Sequence, residues 1–203
     1  MARIEVIPEL IIDDTWYELV VAGIAQYAPE IGSLSREYVT DPDHWLNIPD
    51  VWGRVSKAEL KLPWGPVGEA IVNVWQRPDI RGREESIPHN HSWGVFHSHI
   101  LRGAYEEIRV RRTNIDPETD HADLAFEPYL THASPATNVV PQEVYHEIPV
   151  VEAGTTTLML CGPRTPEKWS HLDLTTGKRR RDQPVEGFDA MLAALNPHRR
   201  GQQ

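Results

Sequence analysis

Between Pro88 and Glu107 the chain reads PHNHSWGVFHSHILRGAYEE, and this stretch constrains the fold more than any other. It carries His89, His91, His97 and His99, from a total of ten histidines. A neutral imidazole offers a nitrogen lone pair near pH 7, which makes histidine the commonest side-chain metal ligand. On extended backbone the side chains alternate with period 2, so His89 and His91 project to the same side and can grip one ion together. An apolar run from Trp93 to Leu101 predicts a strand, Gly103 a corner, and Ala104 to Arg112 the strand that leaves it. Phe96, Ser98 and Ile100 share one phase of the first strand, and His97 and His99 share the other.

The rest of the chain is mostly β in pattern. Ile4 to Ile12 reads as a short edge strand. Asp13-Asp14-Thr15 then gives a helix start, and Trp16, Leu19, Val20, Gly23, Ile24 and Tyr27 follow at helical spacing. A helix over about 15–28 is expected, its apolar stripe packing on the barrel or on a second subunit. Residues 30–65 read as irregular, with Trp45, Trp52 and Trp64 covering the outside of a sheet. Strands are predicted at Ala70 to Arg77, Ala125 to Thr131, Asn138 to Val140, Glu143 to Val151, Thr155 to Leu160 and Trp169 to Leu174, with a polar loop from Pro78 to Pro88. Arg109, Arg111 and Arg112 are assigned to a solvated face. A short helix over Val185 to Leu195 and a frayed tail end the chain. The expected organisation is an N-terminal helix and covering segment (1–65), a barrel (66–175) and a C-terminal turn, helix and tail (176–203), all in one structural domain.

His89-x-His91, the hydrophobic alternation and Leu101-Arg102-Gly103 together resemble the first motif of the cupin family. The resemblance covers roughly residues 66–174 and implies a single mainly-β, jelly-roll barrel that holds one metal. The family pattern places a Glu seven residues before the glycine; here that position is Phe96. Three-histidine cupins, including the thiol dioxygenases, also lack that Glu, and the string His-Asn-His-Ser-Trp-Gly-Val is similar to theirs. The second cupin motif supplies one more histidine, and His146 in Val-Tyr-His-Glu-Ile-Pro fits it, with Thr157-Leu-Met-Leu-Cys-Gly-Pro163 following. The resemblance thus implies His89, His91 and His146 as ligands. The glycine count points Phe96 inward and His97 and His99 outward; a one-residue bulge would reverse this and make those two the ligands.

A site of three imidazoles suits Fe(II), with Zn(II) or Ni(II) as alternatives. With iron the resemblance implies a non-haem oxygenase or dioxygenase acting on a small organic molecule. With zinc or nickel it implies a redox-neutral isomerase, lyase or rearrangement, and without catalysis a small-molecule-binding module. Departures from the thiol dioxygenases exclude a claim of cysteine or mercapto-acid oxidation. Their Ser-x-His-x-Tyr array is replaced by Thr157, Met159 and Cys161. Their substrate-carboxylate arginine has Arg77 as its nearest match, with Arg81 and Arg83 as others. Trp75, Trp93, Phe96, Ser98 and Cys161 are the remaining pocket candidates, and no catalytic residue is assigned.

Charge and composition bound the partners. A net charge of −10 argues against nucleic acid, which needs a positive surface. The single cysteine, Cys161, cannot form an intrachain disulfide. No window approaches the roughly 20 apolar residues of a membrane span, and Met1 to Leu10 lacks a secretory pattern, so a cytoplasmic location is expected. Metal-binding cupins are often dimers, and a homodimer is therefore allowed.

Overall fold

The computed structural model describes residues 3–65, 68–181 and 185–199. The chain opens on β1 (Ile4–Ile7) and β2 (Leu10–Ile12), a hairpin rather than the expected single strand. Glu9 turns it, in the left-handed region at φ 67°. Helix α1 (Asp14–Tyr27) follows as predicted, with Asp13 Oδ1 accepting from Trp16 N at 2.9 Å at its start. Two short elements come next: α2 (Arg36–Thr40) and β3 (Trp45–Pro49).

Eleven further strands follow among the described residues: β4 (Val55–Leu62), β5 (Glu69–Trp75), β6 (Val95–Arg102), β7 (Ala104–Thr113), β8 (Asp123–Phe126), β9 (Leu130–Ala133), β10 (Ala136–Pro141), β11 (Val144–Val151), β12 (Thr156–Cys161), β13 (His171–Leu172) and β14 (Arg179–Arg180), the last two forming a short hairpin. Helix α3 (Phe188–Leu195) is shorter than the predicted one, and the tail beyond residue 199 lies outside the described residues. The fold is mainly β and takes the jelly-roll form that the cupin resemblance implies. One sheet runs β10-β6-β12-β5-β4-β3, and the facing one runs β11-β7-β8, with β9 also on β7. All pairings are antiparallel.

Two expectations need correction. Residues 30–65 are not irregular, because β3 and β4 extend the larger sheet. Val55-Ser-Lys-Ala-Glu-Leu-Lys-Leu62 alternates strictly over its last six residues, which is a half-buried strand's signature. Ala58, Leu60 and Leu62 face the core under α1, while Lys57, Glu59 and Lys61 face the barrel side. The single strand expected at Ala125 to Thr131 is broken into β8 and β9, which pair end to end along β7. Pro128, in the break, has no N–H to give a ladder.

Helix α1 lies on the outer face of the larger sheet. Trp16, Val20, Gly23 and Ile24 are buried there, and Trp16 Nε1 donates to Thr156 Oγ1 at 3.2 Å. Trp45, fully buried, sits 5.9 Å from the Trp16 ring. Trp52 is exposed and Trp64 half-buried, so only one of the three tryptophans is core. Gly103 has φ +78°, and a Cβ there would come within 2.3 Å of Thr155 Oγ1. The corner therefore needs glycine for both its backbone and its space.

Candidate metal centre

The histidine segment is held as an extra rung of the smaller sheet. His89 N donates to His146 O at 3.0 Å and His146 N returns to His89 O at 2.8 Å. On the other side Asn90 N donates to Ser170 O and Leu172 N to Pro88 O. Asn90, buried, accepts from Ser170 N at 2.8 Å through its side-chain oxygen. With Asn90 pinned on one face, alternation sends His89 and His91 to the other. His146, on β11, reaches the same place while Tyr145 points away to Val110 and Leu172. One nitrogen from each of His89, His91 and His146 lies within 4.8 Å of the others.

A buried carboxylate orients the third ring. His146 Nδ1 donates to Glu107 Oε1 at 2.6 Å, so its Nε2 carries the lone pair. That Nε2 stands 2.9 Å from His91 Nε2. Glu107 is fully buried and also accepts from Arg109 Nε (2.9 Å), His132 Nε2 (3.0 Å) and Asn138 Nδ2 (3.0 Å). Burial works to raise its pKa, but the hydrogen bonds from His132 and His146 and the Arg109 charge hold it well below the usual carboxylate range. Arg109 is thus buried in this network, with Asn138 Oδ1 as a further partner, and not on the expected solvated face. Arg111 and Arg112 are half-buried and also paired, to Glu127 and Glu143 and to Asp120.

The residues present fit a divalent ion. Burial, and then the charge of His146, push the pKa values of His89 and His91 well below the ordinary 6.5, so both rings are neutral at pH 7 and able to ligate. His89 Nδ1 is buried with no hydrogen-bond partner. Nitrogens sharing one zinc at about 2.1 Å sit roughly 3.4 Å apart; the His91 and His146 nitrogens are 2.9 Å apart and the three lie within 4.8 Å, a span that brackets this value.

Two spaces meet at these rings. Inside is a void of about 30 Å³ lined by Asn73, Trp75, Ser98, Tyr105 and Met159 together with the three histidines. Asn73 Oδ1 is buried beside it without a hydrogen-bond partner. Outside is an open cleft of about 300 Å³ that His89, His91 and Trp93 share with Lys57, Lys61 and Arg164. Trp93 stacks on His91 at 5.2 Å, and Phe96 meets the same ring edge-on at 4.8 Å.

Of the other candidates, Trp75 and Ser98 line the void and Phe96 points inward. Cys161 is buried against Phe96 and Ile71, and burial pushes its thiol pKa up, so it is a small core hydrophobe. His97 and His99 lie on the outer face, away from the cluster; His97 is exposed, and His99 stacks on Tyr27 of α1 at 3.9 Å. No bulge reverses the phase at these positions, since β6 pairs β10 in unbroken register. Arg77 is also outside the site: it donates to Glu9 Oε2 and Val55 O, both at 2.6 Å. Arg83 donates to Val51 O, away from the cluster. Arg81 does border the cleft, where it pairs with the buried Asp79 at 2.8 Å. Glu107, His132, Asn138 and Tyr105 form part of the site without having been singled out in the sequence.

No protein-family model matches the chain, and no curated protein matches it. Among solved structures it is similar to KdgF from Halomonas sp., with 14% identity over 55% of this chain and 82% of that one at a TM-score of 0.37. It is also similar to the Cnp3 cupin domain of Schizosaccharomyces pombe (13%, 54% and 66%, TM-score 0.35). A third is Streptomyces albus HEPD with 2-hydroxyethylphosphonate and Fe(II) bound (13%, 60% and 25%, TM-score 0.39). At these identities the likeness says nothing of substrate or reaction.

Proposed function

We propose that the chain is a metal-dependent cupin enzyme in which His89, His91 and His146 hold one divalent ion, and that with Fe(II) it oxygenates a small organic molecule. The observation that carries this reading is the convergence of three ring nitrogens within 4.8 Å, one of them fixed by a buried carboxylate. When bound, such an ion supplies open coordination positions to substrate and O₂.

The chain's own residues do the rest. Glu107 holds His146 with its lone pair toward the cluster, and Asn90 holds His89 and His91 beside it. Trp93 and Phe96 close one side of the His91 ring to water. Tyr105 projects into the inner void, and Asn138 Nδ2 donates to its hydroxyl at 2.8 Å. Burial and the Glu107 charge push the Tyr105 pKa up to about 12, so at neutral pH it is a phenol that holds a proton at its hydroxyl oxygen, facing the void.

The test begins with anaerobic Fe(II) titration of wild type and of the His89→Ala/His91→Ala double variant. One equivalent should bind wild type and none the double variant. Full retention by the double variant overturns the ligand assignment. Elemental analysis of untagged protein, followed by O₂-electrode assays over a panel of small acids and alcohols, tests the oxygenase. Substrate turnover by zinc-loaded protein without O₂ consumption overturns that part and leaves a redox-neutral enzyme.

A further inference from the structure

Strand β4 is unusual for a barrel wall. Its apolar residues face outward under α1, and Lys57, Glu59 and Lys61 face the barrel side. Alternation leaves these side chains no other face to choose. Lys57, Glu59 and Lys61 of that face, with Ile48 of β3 beside them, line the open cleft that ends at His89 and His91.

The charges in that cleft do not cancel. Arg164 is matched by Glu69 at 2.5 Å and Arg81 by Asp79 at 2.8 Å. Lys57 lies 3.3 Å from Glu59 and 3.5 Å from the same Asp79, with its ammonium 4.7 Å from the Trp75 ring centre. Lys61 has no carboxylate partner among the described residues. Four cations thus meet three carboxylates, on a protein whose overall charge is −10. His89 and His91, at the inner end of the cleft, bring no negative charge to it. A pocket of this sign, walled by low-dielectric protein, concentrates anions against the average field of the molecule.

We infer that the cleft binds a small organic anion, carboxylate or phosphonate, with its charged end on Lys61 and its other end directed to His89 and His91. This rests on the proposed metal site for the placement of the reacting end, but the Lys61 contact does not depend on it. Lys57 and Arg164 flank the anion from positions already fixed by their own partners. The roughly 300 Å³ of the cleft is at the small end of ligand pockets, which suits an anion of a few carbons.

Isothermal titration with succinate, methylphosphonate and the neutral succinamide separates the alternatives, on zinc-loaded and metal-free wild type and on the exposed-site variant Lys61→Met. At least one anion should bind metal-free wild type, weaken at least tenfold in Lys61→Met and weaken again with added salt, while succinamide does not compete. Whichever of succinate and methylphosphonate shows the larger Lys61 dependence identifies the anion type. Zinc stoichiometry should be equal in wild type and variant. Equal anion affinity in wild type and Lys61→Met, in both metal states, overturns the inference. Anion binding that depends on Lys61 in a protein that takes up no zinc supports it and removes the metal site instead.

Discussion

Glu107 shows how one residue sets the chemistry of another. A histidine offers a metal only the nitrogen that carries no proton, and the Glu107 carboxylate fixes that proton on Nδ1 of His146. Replacing it by Gln keeps the size but removes the charge that Arg109 and His132 also lean on. Glu107→Gln should lower zinc affinity by about 10–100-fold in a chelator competition assay. It should also destabilise the fold by about 3–5 kcal/mol in urea, because the buried Arg109 loses its nearer counter-charge and keeps only Glu127 at 3.9 Å. Unchanged zinc affinity would show that His146 keeps its tautomer without help. The convergence of the three histidines was legible in the sequence, His89 and His91 from their i, i+2 spacing before a strand and a corner glycine and His146 from the cupin resemblance. Their supports were not. Arg109, Arg111 and Arg112 read together as a solvated face, and only the pairing of His146 with Arg109 across β11 and β7 shows that Arg109 faces the interior.

At the scale of elements, the strands around the motif were legible and the first quarter of the sheet was not. Turn signals at Asp41-Pro-Asp and Asn47-Ile-Pro-Asp draw the eye away from the alternation of β4, and charged residues on its barrel side disguise it as surface. Strand β3 is the free edge of the larger sheet, and the C-terminal segment blocks it. Asn47 N donates to Asn196 Oδ1 at 2.7 Å, and Asn196 Nδ2 donates to Asn47 O at 2.8 Å and to Leu192 O at 2.7 Å. The Asn196 amide thereby pairs with the edge as a neighbouring strand would, and it ties down α3, in which no residue is buried. Phe188, at the other end of α3, borders the cleft. Asn196→Ala leaves a buried N–H and C=O unpaired and should cost roughly 1–3 kcal/mol. Hydrogen exchange should speed up in α3 and at Asn47 before it changes in β6 or β12. Uniform loss of protection through the barrel would mean that the contact supports the whole fold rather than its edge.

For the whole molecule, the cluster couples stability to pH and to metal. In the folded protein His89 and His91 have pKa values pushed well below 6.5, chiefly by burial. The unfolded chain therefore takes up protons first as pH falls, and stability declines with it. The contribution is complete above about pH 6.5 and is lost progressively below, by up to about 1.4 kcal/mol per pH unit for each ring. Metal-free wild type should thus show a urea midpoint that is flat from pH 8 to 7 and falls steeply toward pH 5. In the His89→Ala/His91→Ala variant that slope should flatten. Zinc binds the folded chain with its rings neutral, so at 100 times its dissociation constant it should add about 2.7 kcal/mol at pH 7. For a chain of this size that is a rise of roughly 5–10 °C in Tm. The rise should shrink on acidification as protons compete for the same nitrogens. A metal-free midpoint that does not move between pH 7 and pH 5 would mean that the two rings titrate alike in folded and unfolded chains, and the buried, neutral cluster on which the metal site depends would not exist in solution.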